Sequence, residues 1–231
     1  MKLGIIGAME IEVALLKEHL EDCRVTALAG MEFNEGVIGS MPAVVVRSGI
    51  GKVNAAVCTQ LLIDRFGVTH IINTGAAGSL NNDINIGDFV ISTDVMYHDV
   101  DGTFFGYAPG EVPQMGIVSF PADPDLRMRA ISCCRSAAPD VGVFEGRVAS
   151  GDQFVHERPV KDHIREITKA DCCEMEGCAI AHTSYLNRIP FVIIRAISDK
   201  ADESMFVSYD EFEKKAAADC AALVLEMVKA M

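Results

Sequence analysis

Three times within the first 80 residues a short apolar run leads into a glycine-bearing or acidic turn and then a helix or another strand. Residues 3–7 lead into Ala8-Met9-Glu10-Ile11-Glu12, residues 43–47 into Ser48-Gly49-Ile50-Gly51-Lys52, and residues 68–73 into Thr74-Gly75-Ala76-Ala77-Gly78. Short apolar runs closed by turn residues read as buried strands, and strands alternating with helical periodicity build an α/β sheet. The first helix is expected to run through Leu20, with apolar positions at 13, 15, 16 and 20, and the second to carry Val53, Ala56, Val57 and Leu61. In open α/β sheets ligands bind beyond the carboxyl ends of the strands. The three loops are therefore expected to share one composite mouth.

Weaker alternation over 24–38, ending at Gly39-Ser40-Met41-Pro42, predicts a hairpin. Segments 87–93 and 95–99 read as strands, 123–137 and 158–168 as helices, and 141–150 as a strand opening into Gly151-Asp152-Gln153-Phe154-Val155. Segment 102–113 is rich in Gly, Pro and aromatics without periodicity, and a loop of that length is commonly functional. Its Phe104, Phe105 and Tyr107 are expected to form an apolar wall over a pocket. Glu174 and Glu176, two apart on extended chain, should share one face. A helix over 177–187 follows, then an apolar strand over 189–195, with Arg195 and Asp199 where it runs out. The last helix is expected to begin at Ser208, with Glu211 completing a capping box. Its stripe of Phe212, Ala216, Cys220, Leu223 and Met227 is core packing. No linker or low-complexity segment interrupts the chain, which reads as one domain, 1–231.

Composition narrows the partners. Half the residues are hydrophobic, enough for a large aliphatic core, while 20 Lys and Arg against 33 Asp and Glu give a formal charge of −13. A nucleic-acid surface needs clustered cations, so none is expected. No apolar run reaches the length of a membrane span. The chain begins directly on a strand without a leader pattern, which points to the cytoplasm. Eight cysteines, four of them in two adjacent pairs, show neither a disulfide framework nor metal-ligand spacing, so no metal is expected. His98, His156 and His182 receive no role.

What remains is carboxylates. Glu12, Glu174, Glu176 and Asp199 lie just past predicted strand ends, joined by Arg195. The G-x-S-x-G elbow, the phosphate-binding G-x-x-x-x-G-K-[ST] loop and the dinucleotide fingerprint G-x-G-x-x-G are missing, so no cofactor is expected. Paired acids without metal ligands suit general acid–base work such as cleavage of a glycosidic bond, where one acid protonates the leaving group and one base activates water.

In order along the chain stand Gly4-Ile-Ile-Gly-Ala-Met9-Glu10-Ile-Glu12, Ser48-Gly-Ile-Gly-Lys-Val-Asn54, Asn73-Thr-Gly-Ala-Ala-Gly78, Ser150-Gly-Asp-Gln-Phe154, Glu174-Met-Glu176 and Arg195-Ala-Ile-Ser-Asp199. The set resembles the 5′-methylthioadenosine/S-adenosylhomocysteine nucleosidases of the purine nucleoside phosphorylase superfamily, over about residues 2–228. The resemblance implies a three-layer α/β/α domain around a central mixed, twisted sheet, a homodimer, and hydrolysis of the adenine–ribose bond of methylthioadenosine, S-adenosylhomocysteine or 5′-deoxyadenosine. It implies that Asp199 carries the proton given to position 7 of adenine, and that Glu12 deprotonates water placed with the help of Arg195 and Glu174. Glu176 would take the ribose hydroxyls, with Met175 beneath the sugar. Phe154 would stack on adenine and Val155 offer its backbone, with Gly78 and Ser198 also at the substrate. Met9, Ile50, Phe105, Tyr107, Pro113, Phe206 and Tyr209 would line the 5′-alkylthio pocket. The family typically has serine where this chain has Ala76. Phosphorylases of the superfamily hold phosphate with glycine and arginine after the first strand, where this chain has acids. Some relatives cleave 6-amino-6-deoxyfutalosine. The alternatives that remain open are a phosphorylase and a nucleoside-binding protein without catalysis.

Overall fold

The computed structural model describes residues 1–137, 140–202 and 209–231, without the side chains of 136, 137 and 209–211. In chain order the elements are β1 (Leu3–Gly7), α1 (Glu10–Glu18), β2 (Glu21–Leu28), β3 (Met31–Ile38), β4 (Met41–Arg47), α2 (Lys52–Phe66), β5 (His70–Ser79), β6 (Phe89–Tyr97), β7 (Phe120–Pro121), α3 (Pro124–Ala137), β8 (Val143–Ser150), α4 (Arg158–Thr168), β9 (Cys172–Glu174), α5 (Gly177–Asn187), β10 (Phe191–Asp199) and α6 (Tyr209–Lys229). The expected capping box at Ser208 lies outside the described residues.

The strands form one mixed sheet. Parallel pairs join β1 to β4 and β5, β5 to β10, and β8 to β6 and β9. Antiparallel pairs join β2, β3 and β4, and also β5 to β9, β6 to β10 and β6 to β7. Because β5 pairs with both β9 and β10, the order β5–β10–β6–β8–β9 returns to β5 and closes a ring. Strands β1, β4, β3 and β2 extend from it as an open wing.

Continuous apolar strands are explained by two covered faces. Along β1, Leu3 and Ile5 pack with α1, α3 and α6, whereas Ile6 packs with α2 and α5. On β10, Val192, Ile194 and Ala196 go to the first layer and Phe191, Ile193 and Ile197 to the second. Helix α4 closes a third, smaller cluster in which Ile164 meets Leu80, Val155, Cys173 and Ala201.

Three sequence expectations are corrected. Thr74 to Gly78, read as a loop, continues β5, and β10 runs on past Arg195 to Asp199. Small residues are weak strand formers alone, but each strand supplies the other's ladder: Thr74 faces Ile194, Gly75 faces Arg195 and Gly78 faces Asp199. Likewise 87–93 and 95–99 are one strand, β6, whose pairing with β8 shifts between Ser92 and Asp94.

Candidate active site

The ring brings the acids together. A cavity of about 710 Å³, mouth included, is lined by Met9 and Glu12 from the start of α1, Ile50 from the β4–α2 turn, and Ala76, Ala77 and Gly78 from β5. Phe154 and Val155 after β8, Glu174, Met175 and Glu176 between β9 and α5, Ser198 and Asp199 at the end of β10, and Glu213 on α6 complete it. Among the described residues no group of three or more His, Cys, Asp or Glu could hold a metal ion.

Glu12 stands at the third position of α1 and caps that helix. Its Oε2 accepts from the N–H groups of Ala8 at 2.7 Å and Met9 at 3.0 Å. Its Oε1 reaches across to β5 and accepts from Ala76 N–H at 3.1 Å. Burial raises the carboxyl above its ordinary range, against the Arg195 guanidinium and these three donors, which favour the anion. The approach requires glycine at position 75, where a Cβ would stand 2.4 Å from Glu12 Oε1. Gly75→Ala should push the carboxylate off Ala76 and lower kcat by about 10- to 100-fold. Steady-state kinetics beside a thermal unfolding curve will show whether the loss is of geometry rather than of the fold.

Glu174 and Arg195 form a buried pair. Arg195 Nη2 donates to Glu174 Oε2 at 2.5 Å and to Asn73 Oδ1 at 2.5 Å, while Nη1 donates to the Ile194 carbonyl at 3.0 Å. Glu174 also accepts from the Ser150 hydroxyl and from the N–H groups of Glu176 at 3.1 Å and Gly177 at 2.7 Å. Burial alone would raise the Glu174 carboxyl, but Arg195, Ser150 and the Gly177 N–H together hold it below the ordinary range. Arg195 does not line the cavity; it is 2 % exposed and sits behind Glu174.

Glu176 differs from its neighbour. Its Oε1 accepts from Gly51 N–H at 2.7 Å, a donor aimed by the positive φ of that glycine, +96°. Burial and the nearby Glu174 anion push it up to about 8. The folded chain therefore keeps a proton on Glu176 between its ordinary value of 4.5 and about 8, where an unfolded chain has released it. Stability from this group is full below 4.5 and is lost as pH rises through 8. Glu176→Gln should flatten the decline, read as urea midpoints at about pH 5, 7 and 9.

Asp199 ends β10. Its Oδ1 accepts from Ala201 N–H at 2.7 Å and its Oδ2 from the Ser198 hydroxyl at 2.8 Å. Burial raises its carboxyl, and Asp202 adds to the rise; Ala201 N–H, Ser198 and Lys161 oppose it.

Glu12, Glu174, Glu176, Asp199, Met9, Ile50, Gly78, Phe154, Val155, Met175 and Ser198 thus meet at one cavity. Phe105, Tyr107 and Pro113 do not: the segment after β6 turns back on itself, Phe105 N–H to the Gly102 carbonyl and Gly110 N–H to the Val100 carbonyl. Tyr107 and Pro113 pack around Gly102, and Phe104 and Phe105 are 91 % and 78 % exposed, so these residues form no apolar wall over the pocket. Phe206 and the side chain of Tyr209 lie outside the described residues. Sequence reasoning passed over Asn73, Ser150 and Gln153, although all stand in the quoted motifs, and Glu213, for which the helical pattern gave no signal.

A family model of the phosphorylase superfamily matches residues 2–229. The chain is similar to a 5′-methylthioadenosine/S-adenosylhomocysteine nucleosidase of Exiguobacterium, 43% identical over 99% of this chain and 98% of that protein. Among solved structures it is similar to the enzyme of that name from Neisseria meningitidis in complex with methylthio-immucillin-A. There the TM-score is 0.95 at 42% identity, covering 100% of this chain and 99% of that one. It is also similar to a futalosine hydrolase of Helicobacter pylori, with a TM-score of 0.94 at 33% identity, covering 100% and 98%. The chain belongs to the phosphorylase superfamily and, within it, to the family of 5′-methylthioadenosine/S-adenosylhomocysteine nucleosidases.

Proposed function

We propose that residues 1–231 are one catalytic domain that hydrolyses the N-glycosidic bond of 5′-methylthioadenosine, S-adenosylhomocysteine and 5′-deoxyadenosine, releasing adenine in methionine salvage. The observation that carries the mechanism is that Glu12 and Asp199, far apart in sequence, line one cavity. Asp199, raised by burial, carries the proton given to adenine as the bond breaks. Glu12, opposed by burial but fixed by three N–H donors, takes a proton from the attacking water. Glu176, with Met175 beside it, receives the ribose hydroxyls; Phe154 stacks on the base and the Val155 backbone meets its edge. Ala76 has no hydroxyl to offer the water, so its placement falls to Glu12 and to Glu174, which Arg195 holds in position. Positive charge growing on the sugar is favoured by the Glu174 carboxylate, which is held ionised beside it.

Hydrolysis is favoured over phosphorolysis because Glu12, Glu174, Glu176 and Asp199 line the cavity and the Arg195 guanidinium behind Glu174 is already held by Glu174 and Asn73. A phosphate dianion entering there would meet the ionised Glu174 carboxylate. Adenine release from methylthioadenosine in phosphate-free buffer tests this. A strict phosphate requirement with a ribose-1-phosphate product would establish a phosphorylase instead, and binding without turnover a non-catalytic protein. Relative kcat/KM should include 6-amino-6-deoxyfutalosine, given the futalosine hydrolase similarity.

A homodimer is the expected assembly. Val53 and Val57, one turn apart on α2, are 75% and 40% exposed, and Leu186 on α5 is 65% exposed. Two helix faces of that kind suit a second copy of the chain, and sedimentation velocity measures it. No helix among the described residues is long and apolar enough to cross a membrane. Eight free thiols suit the reducing cytoplasm, where we place the enzyme.

A further inference from the structure

Helix α4 carries a lysine where packing alone would put an apolar residue. Lys161 is 3 % exposed and shares the helix's inner face with Ile164 and Thr168. A buried ammonium is costly unless its N–H groups are used, and this one makes two hydrogen bonds and an ion pair. Nζ donates to the Lys200 carbonyl at 2.6 Å and to Asn82 Oδ1 at 3.3 Å, and stands 3.5 Å from Asp202 Oδ2. It therefore grips the chain on both sides of Ala201. That residue is fully buried and has φ +51°, a left-handed conformation that a non-glycine side chain adopts only when its surroundings impose it. The N–H presented by this turn is the one that holds Asp199 Oδ1 at 2.7 Å.

We propose that Lys161 is a positioning residue for Asp199, its ammonium fixing the 200–202 turn whose backbone aims that carboxyl into the cavity. The inference rests on Asp199 being the proton carrier. The turn is also braced by Lys200 Nζ, which donates to the Ile84 carbonyl at 2.5 Å, and Arg158 Nη2 lies 3.9 Å from Asp202 Oδ2. Among the described residues, the groups facing Asp199 include Ser198 and the Ala201 N–H beside it, Lys161 from α4, Asp202 from the turn and the Cys173 thiol from β9. Glu12, Glu174, Glu176 and Glu213 share its cavity. Of the pair behind it, Asp202 favours the protonated carboxyl and Lys161 the anion. Loss of either partner would loosen the turn, but the two losses move Asp199 in opposite directions.

The test is the pH dependence of kcat for the wild type, Lys161→Met, Asp202→Asn and, as control, Asp199→Asn. A general acid must be protonated, so activity falls on the alkaline side as Asp199 ionises. Lys161→Met should move that limb to higher pH and Asp202→Asn to lower pH, each by about half a unit or more. Lys161→Met should also lower the plateau kcat roughly 10-fold with KM within about 3-fold. Limbs that stay in place, or move the same way, would overturn the proposal while leaving the chemistry of Asp199 intact. A fully active Asp199→Asn enzyme would instead remove the reading beneath it. If Lys161→Met does not fold, Asp202→Asn decides alone: a limb that does not move to lower pH overturns the proposal.

Discussion

Asp199→Asn should leave a folded protein that binds methylthioadenosine and scarcely cleaves it, with kcat lower by on the order of 10²–10⁴-fold. The asparagine is nearly isosteric, so its carbonyl can still accept from Ala201 N–H or the Ser198 hydroxyl, the contacts made at 2.7 and 2.8 Å. What it lacks is a proton that can leave. Adenine departs poorly as an anion, and an amide cannot neutralise it. The sign of the pH effect follows from burial, which raises the Asp199 carboxyl. Wild-type kcat should therefore hold above the ordinary carboxylate range and then fall as pH rises, whereas the residual rate of the variant should lack that limb. Calorimetry of substrate binding beside single-turnover adenine release separates the outcomes. A near-wild-type rate would remove Asp199 from the chemistry, and loss of binding together with rate would make its role structural.

Glu12→Ala is expected to lower kcat by a similar factor, about 10²–10⁴, and to be partly rescued by added formate. Alanine is the more telling replacement. Glutamine would keep an oxygen for Ala8 and Met9 but would set its NH₂ against the Ala76 N–H, since Glu12 Oε1 accepts there at 3.1 Å. That is two donors facing each other, and a buried donor left unpaired costs about 1–3 kcal/mol. Alanine opens a space that a small carboxylate can fill. Formate that restores part of the rate, saturably, would show that a base is what the site lacks. No recovery, with adenine still bound at wild-type affinity, would reduce Glu12 to the cap of α1.

The same double duty explains how much of the site was legible beforehand. An acid at the third position of a helix after a strand is ordinary, and the letters alone do not separate cap from catalyst; the contact with Ala76, 64 residues on, does. Pattern gave the strands, the helices and the clustering of acids, because apolar periodicity and glycine punctuation are local. It misplaced the ends of β5 and β10, because Thr74-Gly-Ala-Ala-Gly78 has the composition of a loop and becomes strand only through its partner. Ring closure, a property of pairing between distant segments, left no local trace. Asn73 and Ser150 looked like strand-end polar residues until the arginine and glutamate they serve arrived from elsewhere in the chain. Aromatics in 102–113 suggested a wall, but turn geometry directs Phe104 and Phe105 outward.

The closed circuit of β5, β10, β6, β8 and β9 separates two kinds of evolutionary freedom. Glu174 and Asp199 are carried by its members, and the Ala76 N–H that fixes Glu12 belongs to it as well. Displacing one of these groups means breaking a hoop in which every strand has two neighbours. The connection between β6 and β7, by contrast, hangs outside the hoop. Lineages can lengthen or rewrite that connection without displacing the acids that cut the bond.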